Sequence, residues 1–230
     1  MNRIKIANIE LSREDCLELM GRYPNKHFDL AIVDPPYGIG KDWKKNPHSQ
    51  FYKHDSSYKN DVIPGKDYFD ELFRVSDKQI IWGGNYYTDF LPATGAWIVW
   101  DKKRLEKQLH AQGELAWTSL RIPLRIIPFA WSGCVTCEPR YGKHPHEKPV
   151  TLYKWLLSKY AKPGMKILDI HLGSGSLAIA CYDMGFELTA CEIDSDYFTA
   201  AVERVRLFAA QQTFDLGAQG YTPCLFESVG

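Results

Sequence analysis

Lys166-Ile167-Leu168-Asp169-Ile170-His171-Leu172-Gly173-Ser174-Gly175-Ser176 is the stretch that decides the fold. Pro163 and Gly164 turn the chain into it, and residues 166–170 carry the short apolar run of a buried strand. A Gly-x-Gly turn follows, then helical spacing over residues 177–184 that Gly185 ends. Residues 187–191 read as the next strand, closed by Glu192. Strand, glycine turn, helix, strand and an acid 17 positions after Gly175 make one nucleotide-binding βαβ half. Glycines let backbone approach a ligand, and a carboxylate at the second strand's end can accept both hydroxyls of a ribose. Asp169, His171, Gly173, Ser174, Gly175 and Glu192 are therefore candidate ligand contacts. A tight turn beside a surface glutamate is the competing reading.

No third glycine closes a dinucleotide fingerprint, which favours a nucleoside without a pyrophosphate; S-adenosylmethionine fits. Far upstream, Leu30-Ala31-Ile32-Val33 reads as another buried strand, and it runs into Asp34-Pro35-Pro36-Tyr37. Pro35 cannot extend a hydrogen-bonded ladder and pushes Asp34 toward extended backbone, so the strand stops there. A carboxylate, a donor-free backbone and an aromatic ring are thereby crowded at a strand's carboxyl end, the edge where open α/β sheets bind ligands. Such a cluster suits methylation of an amine that is a poor nucleophile. A carboxylate accepting one N–H, and the carbonyl between the prolines accepting the other, would draw the lone pair of an exocyclic base amine out of conjugation. The ring could stack on a base that has left the duplex. The plainer alternative is a proline turn with Asp34 capping and Tyr37 packing.

The remaining pattern is α/β throughout. Residues 3–9 alternate as a short edge strand, and Ser12-Arg13-Glu14-Asp15 resembles an N-cap ahead of a helix through Met20. Residues 67–75 read as a helix, 79–82 and 96–100 as strands. Gly83-Gly84-Asn85 marks close backbone approach, either to a ligand or to another loop. Thr151 is placed to cap a helix over residues 151–160, and a long amphipathic helix starts at Asp196 and runs to about Ala210. Between these, residues 101–143 are irregular, with strand-like pieces at 114–117 and 122–131.

Asp34-Pro35-Pro36-Tyr37, then His144-Pro145-His146-Glu147-Lys148-Pro149, then residues 169–176, in that order, resemble the β class of DNA amino-methyltransferases. That class carries its catalytic tetrapeptide first, target recognition in the middle and the cofactor loop last. The resemblance covers most of the chain and is nearest to small phage- or prophage-type adenine methyltransferases, including Trp82-Gly83-Gly84-Asn85-Tyr86. It implies a Rossmann-like S-adenosylmethionine-dependent sheet flanked by helices, with circularly ordered motifs and a small target-recognition insertion at 101–143 in a single domain. It assigns polarisation of the adenine N6 amine to Asp34, with Pro35 supplying its carbonyl and Tyr37 stacking on the base. Gly173 and Gly175 would line the cofactor, Glu192 would hold its ribose, and Lys148, beside Pro149, would lie near its methionine end. An activated sulfonium requires no metal. Two departures stand out: Ile170 and His171 replace the proline and phenylalanine usual in the family's cofactor loop. His171 is then either a ligand contact or a buried histidine bonded to backbone. N4 methylation of cytosine uses the same chemistry, but Asp34 favours adenine, since the cytosine enzymes more often carry serine there. A non-catalytic DNA-binding remnant is a rival of another class.

Composition agrees with an ordinary globular domain: 230 residues, 45% apolar and 24% charged, with a formal net charge of zero that argues against a generic polyanion binder. Charge is local instead. Residues 38–60 hold five lysines against two aspartates, and residues 101–143 hold eight basic against four acidic side chains. Lys41, Lys44, Lys45, Lys102, Lys103 and Arg104 are the candidate DNA-phosphate contacts; a solvated loop surface is the alternative. Six cysteines, no apolar run long enough for a bilayer and no signal-like start point to reduced thiols in a cytoplasmic protein. Cys134 and Cys137 with His144 and His146 have zinc-like ingredients, but His144 belongs to the lysine motif, and free thiols are expected. Gln212 to Leu216 faintly resembles the short peptides that bind sliding clamps; a frayed helix end is the bland alternative.

Overall fold

The computed structural model describes residues 2–39, 61–104, 111–132, 135–138, 141 and 147–218. Lys41, Lys44, Lys45, Cys134, His144 and His146 lie outside the described residues. β1 (Arg3–Ile6) and β2 (Ile9–Arg13) form a hairpin, followed by α1 (Cys16–Gly21). Within the expected cap stretch Ser12–Asp15, Ser12 and Arg13 stay in the strand: Ile9 and Leu11 are fully buried, and the residues of β2 pair with a strand 179 positions on. Asp15 becomes the cap, its carboxylate accepting the amide protons of Leu17 and Glu18.

β3 (Phe28–Val33) leads through α2 (Lys66–Val75) into β4 (Ser76–Trp82) beside it, in parallel. β5 (Trp97–Asp101), β6 (Gly113–Thr118) and β7 (Arg125–Pro128) follow, with a short ribbon of β8 (Trp131–Ser132) and β9 (Val135–Thr136). α3 (Val150–Tyr160), β10 (Lys166–Asp169), α4 (Ser176–Met184), β11 (Glu187–Glu192) and α5 (Ser195–Ala218) are the remaining described elements. Among the described residues nine strands make one sheet in the order β1-β2-β11-β10-β3-β4-β6-β5-β7. β6 sits inside that sheet, antiparallel to both β4 and β5. The boundaries 101–143 of the expected insertion therefore do not coincide with a break in the sheet; β6 and β7 extend it.

The alternation of the strands decides the two layers. Leu30 and Ile32 of β3 face one core, with Leu152 and Leu156 of α3, Ile179 of α4 and Val205 of α5. Ala31 and Val33 face the other, with Leu19 of α1 and Phe69 and Leu72 of α2. Burying each such aliphatic side chain contributes roughly 1.5–3 kcal/mol. Thr151 does not cap α3. The Glu138 carboxylate, from outside the helix, takes the amide protons of Val150 (2.6 Å) and Thr151 (2.8 Å). α5 runs past the expected Ala210, so residues 212–216 are helical and their backbone is not offered as an extended docking peptide.

Candidate active site

β10 is followed by β11 on one side and β3 by β4 on the other, so the sheet reverses its winding between β10 and β3. A cavity of about 500 Å³ opens at the carboxyl ends of these two strands, the place where such sheets bind ligands. Asp34, Pro35, Pro36 and Tyr37 form one wall; Leu172, Gly173, Ser174 and Glu192 form another. Two motifs 135 residues apart in sequence thus share one chamber.

Glu192 is held in place by two backbone amides, Gly173 N–H and Asp194 N–H, each 3.0 Å from one of its carboxylate oxygens. Each oxygen keeps a lone pair for a diol. Burial raises its pKa, and those amide bonds pull the other way. Not every residue expected at the ligand is there. Asp169 lies beneath the cavity wall, 4% exposed, where it accepts the His171 amide (3.0 Å) and sets the turn. Burial pushes its pKa up to about 7. Gly175, at φ +77°, faces α5 rather than the cavity; a Cβ there would meet Ala201 at 3.3 Å. Its glycine serves helix packing. Pro149 heads α3 and is likewise outside the lining. His171 does line the cavity, but its ring nitrogen Nδ1 faces the Tyr68 hydroxyl at 3.4 Å rather than backbone. Burial lowers its pKa to about 4, so the imidazole is neutral at pH 7.

The tetrapeptide is tied down on every side. Tyr37 donates its hydroxyl to Asp34 Oδ1 (2.6 Å) and its ring stacks on Tyr86 at 5.0 Å. Burial and the adjacent carboxylate raise the Tyr37 pKa, which keeps the donor proton in place. The ring passes so close to Gly83 that a Cβ would sit 2.2 Å from Tyr37 Cε1. The close approach at Gly83 is therefore to another loop's side chain. The carbonyls expected to accept the amine already have a partner: Tyr87 Oη lies 2.7 Å from Pro35 O and 2.9 Å from Pro36 O. One hydroxyl proton serves two carbonyls, so acceptor capacity remains at Pro35.

Lys148 lines the cavity and reaches the tetrapeptide. Its ammonium is ion-paired with Asp34 Oδ2, lies 3.1 Å from Glu114 Oε2 and stands over the Trp82 ring. Burial works against this charge, but the Asp34 and Glu114 carboxylates outweigh it and raise the Lys148 pKa. Glu114 in turn pairs with Lys102. Lys102 is therefore withdrawn from the DNA-contact set: its side chain is 9% exposed, spent on Glu114 and the Trp100 ring. Arg104 is bound to the carbonyls of Trp131 and Ala111. Lys103 is the exposed member, paired with Asp101 at 2.8 Å. Sequence reasoning missed Glu114, Tyr87 and Arg204. Arg204 donates to Ser174 O and Ser176 Oγ, both at 2.9 Å, while pairing with buried Glu147. No short motif marks any of them; only strand and helix register places them here.

A mixed sheet, a cavity at its winding reversal and a carboxylate anchored there by two backbone amides make a Rossmann-like architecture. The sequence narrows this. Residues 82–203, more than half of the chain, match the DNA methylase family, and the chain belongs to that family of N6-adenine/N4-cytosine type DNA methyltransferases. YubD of Escherichia coli (strain K12) is 25% identical over 229 residues, covering 89% of this chain and 92% of that protein. Among solved structures, the M1.HpyAVI–SAM complex superposes with a TM-score of 0.57 at 19% identity, over 85% of this chain and 99% of that one. The cytosine-N4-specific PvuII DNA methyltransferase superposes with a TM-score of 0.57 at 13% identity, over 90% and 93%. Among the described residues no helix is long and apolar enough to cross a membrane.

Proposed function

We propose that this chain transfers a methyl group from S-adenosylmethionine to the N6 amine of adenine in DNA. The observation that carries the reading is the single cavity shared by Asp34 and the Glu192-anchored glycine loop. Among the described residues, seven carboxylates and one lysine line it, an imbalance suited to a ligand bearing a sulfonium and an ammonium. Glu192 would take the ribose hydroxyls, with Gly173 and Ser174 along the nucleoside. Bound there, the cofactor supplies a methyl group on an activated sulfonium leaving group. Asp34 would accept a hydrogen bond from the target amine and orient its lone pair, Pro35 O would offer the second acceptor, and Tyr37, backed by Tyr86, would stack on the extruded base. Asp34, in place of serine, supports adenine over cytosine. Lys103, and Lys41, Lys44 and Lys45 on their sequence context, would contact phosphates.

The test is mass spectrometry of hydrolysed DNA after incubation with wild type and Asp34→Ala. N6-methyladenine is expected from wild type, reduced on the order of 100- to 1000-fold in Asp34→Ala, while calorimetry shows cofactor binding retained. N4-methylcytosine alone would overturn the substrate. Robust methylation by Asp34→Ala would return the tetrapeptide to a structural turn.

A further inference from the structure

We propose that Glu114 is a positioning residue for methyl transfer: fixed by Lys102, it holds the Lys148 ammonium between two carboxylates and so prevents that cation from monopolising Asp34. The inference rests on the role given to Asp34 above. Four charges alternate in a row, Asp34, Lys148, Glu114 and Lys102, with the lysines buried and the carboxylates partly so, and the row is neutral as a whole. The Lys148 side chain is 3% exposed and has the two carboxylates as its ionic partners, with the Tyr37 hydroxyl at 3.3 Å. A buried ammonium costs several kcal/mol unless it is compensated. With Glu114 gone, Asp34 would have to compensate it alone.

That matters for the chemistry. In transfer from a sulfonium, the amine lone pair forms the N–C bond, the C–S pair leaves with sulfur, and positive charge passes to the nitrogen until it sheds a proton to water. An ammonium paired only with Asp34 opposes charge building up on that nitrogen and occupies the oxygen that should face it. Glu114 screens both effects. Its placement follows from the sheet: on β6 it stands opposite Trp100 of β5, and the chain leaving β5 brings Lys102 back against it. The carboxylate thereby reaches the Lys148 ammonium as a second anion beside Asp34, and Lys102 supplies the second cation that keeps Glu114 ionised. Burial alone would raise the Glu114 pKa, but Lys148 and Lys102 hold it well below the usual range.

The experiment compares Glu114→Gln, Glu114→Asp and Lys102→Met/Glu114→Gln, the last removing the charges as a pair so that no buried cation is stranded. Single-turnover methylation, cofactor calorimetry and melting are measured on each, then repeated for Glu114→Gln in a Lys148→Met background. Glu114→Gln and the paired variant should slow transfer on the order of 10- to 100-fold, less than loss of a direct partner. Cofactor affinity should hold within about twofold, and Glu114→Asp should recover part of the rate. Once Lys148 is methionine, Glu114→Gln should change the rate little, because there is no ammonium to share. A wild-type rate in folded Glu114→Gln, or an equal loss with and without Lys148, would reduce Glu114 to a structural ion pair. Failure of wild type to methylate DNA would instead sink the functional reading itself.

Discussion

Replacing Gly83 with alanine tests whether the Tyr37 ring is what demands glycine there. The backbone sits at φ +68°, where an L residue costs about 1–2 kcal/mol. The new Cβ would lie 2.2, 2.6 and 2.8 Å from Tyr37 Cε1, Cδ1 and Cζ, so the ring has to leave. Leaving forfeits the 2.6 Å bond to Asp34 and the stack on Tyr86. A hydrogen bond to a charged group contributes roughly 1.5–3 kcal/mol and an aromatic pair roughly 0.5–1.5. Because Tyr37 is only half-buried, the low end of both applies, near 2 kcal/mol on top of the backbone cost. The assay is urea unfolding of wild type, Gly83→Ala, Tyr37→Ala and the double variant. In the Tyr37→Ala background the Cβ enters vacated space, and only the backbone cost should remain. The interaction energy of the cycle should therefore be about 2 kcal/mol. Methyl transfer should also fall in Gly83→Ala, since Asp34 loses the partner of one oxygen. Additive costs, with Gly83→Ala equally damaging with or without the ring, would refute the reasoning.

Further outcomes follow from the same geometry. Glu192→Ala should weaken S-adenosylmethionine binding by about 1.5–3 kcal/mol; unchanged affinity by calorimetry in a folded variant removes the residue from the site. Lys103→Gln should lower the slope of log binding constant against log salt by about 0.9, one released counterion. Lys102→Met should leave that slope alone but lower the melting temperature, because it removes one of the two cations beside the partly buried Glu114; equal slopes in both variants would place this end of the molecule away from the duplex. His171 has its pKa depressed from near 6.5 to about 4 by burial, so its neutral form favours the fold. The stability it contributes is complete above pH 6.5 and is lost as pH falls toward 4, roughly 1–3 kcal/mol. His171→Phe should flatten urea midpoints over that range, and an unchanged pH dependence would show the ring to be solvated.

Legible in the sequence alone are the strands that flank the site, the proline tetrapeptide that ends β3, the glycine loop and the acid that ends β11. Each is written in local chemistry: proline stops β3 after Val33, glycine permits the turn at residues 173–175, and apolar runs mark strands buried on both faces. The order of the motifs along the chain is also written there, but that they line one cavity is a structural finding. What the sequence left undecided depends on partners remote along the chain. Ser12 reads as a helix cap until β2 is paired with β11. Glu114 reads as a surface acid of an irregular insertion until β6 is slotted between β4 and β5. Lys102, Lys103 and Arg104 are indistinguishable as a basic triplet, yet the first is buried on Glu114 and the second is exposed. Gly175 passes for a ligand glycine until α5 packs on it. Only tertiary structure decided these, because burial, ion pairing and close packing are set by which strand and helix lie alongside, and sheet order is a non-local property that no stretch of residues carries alone.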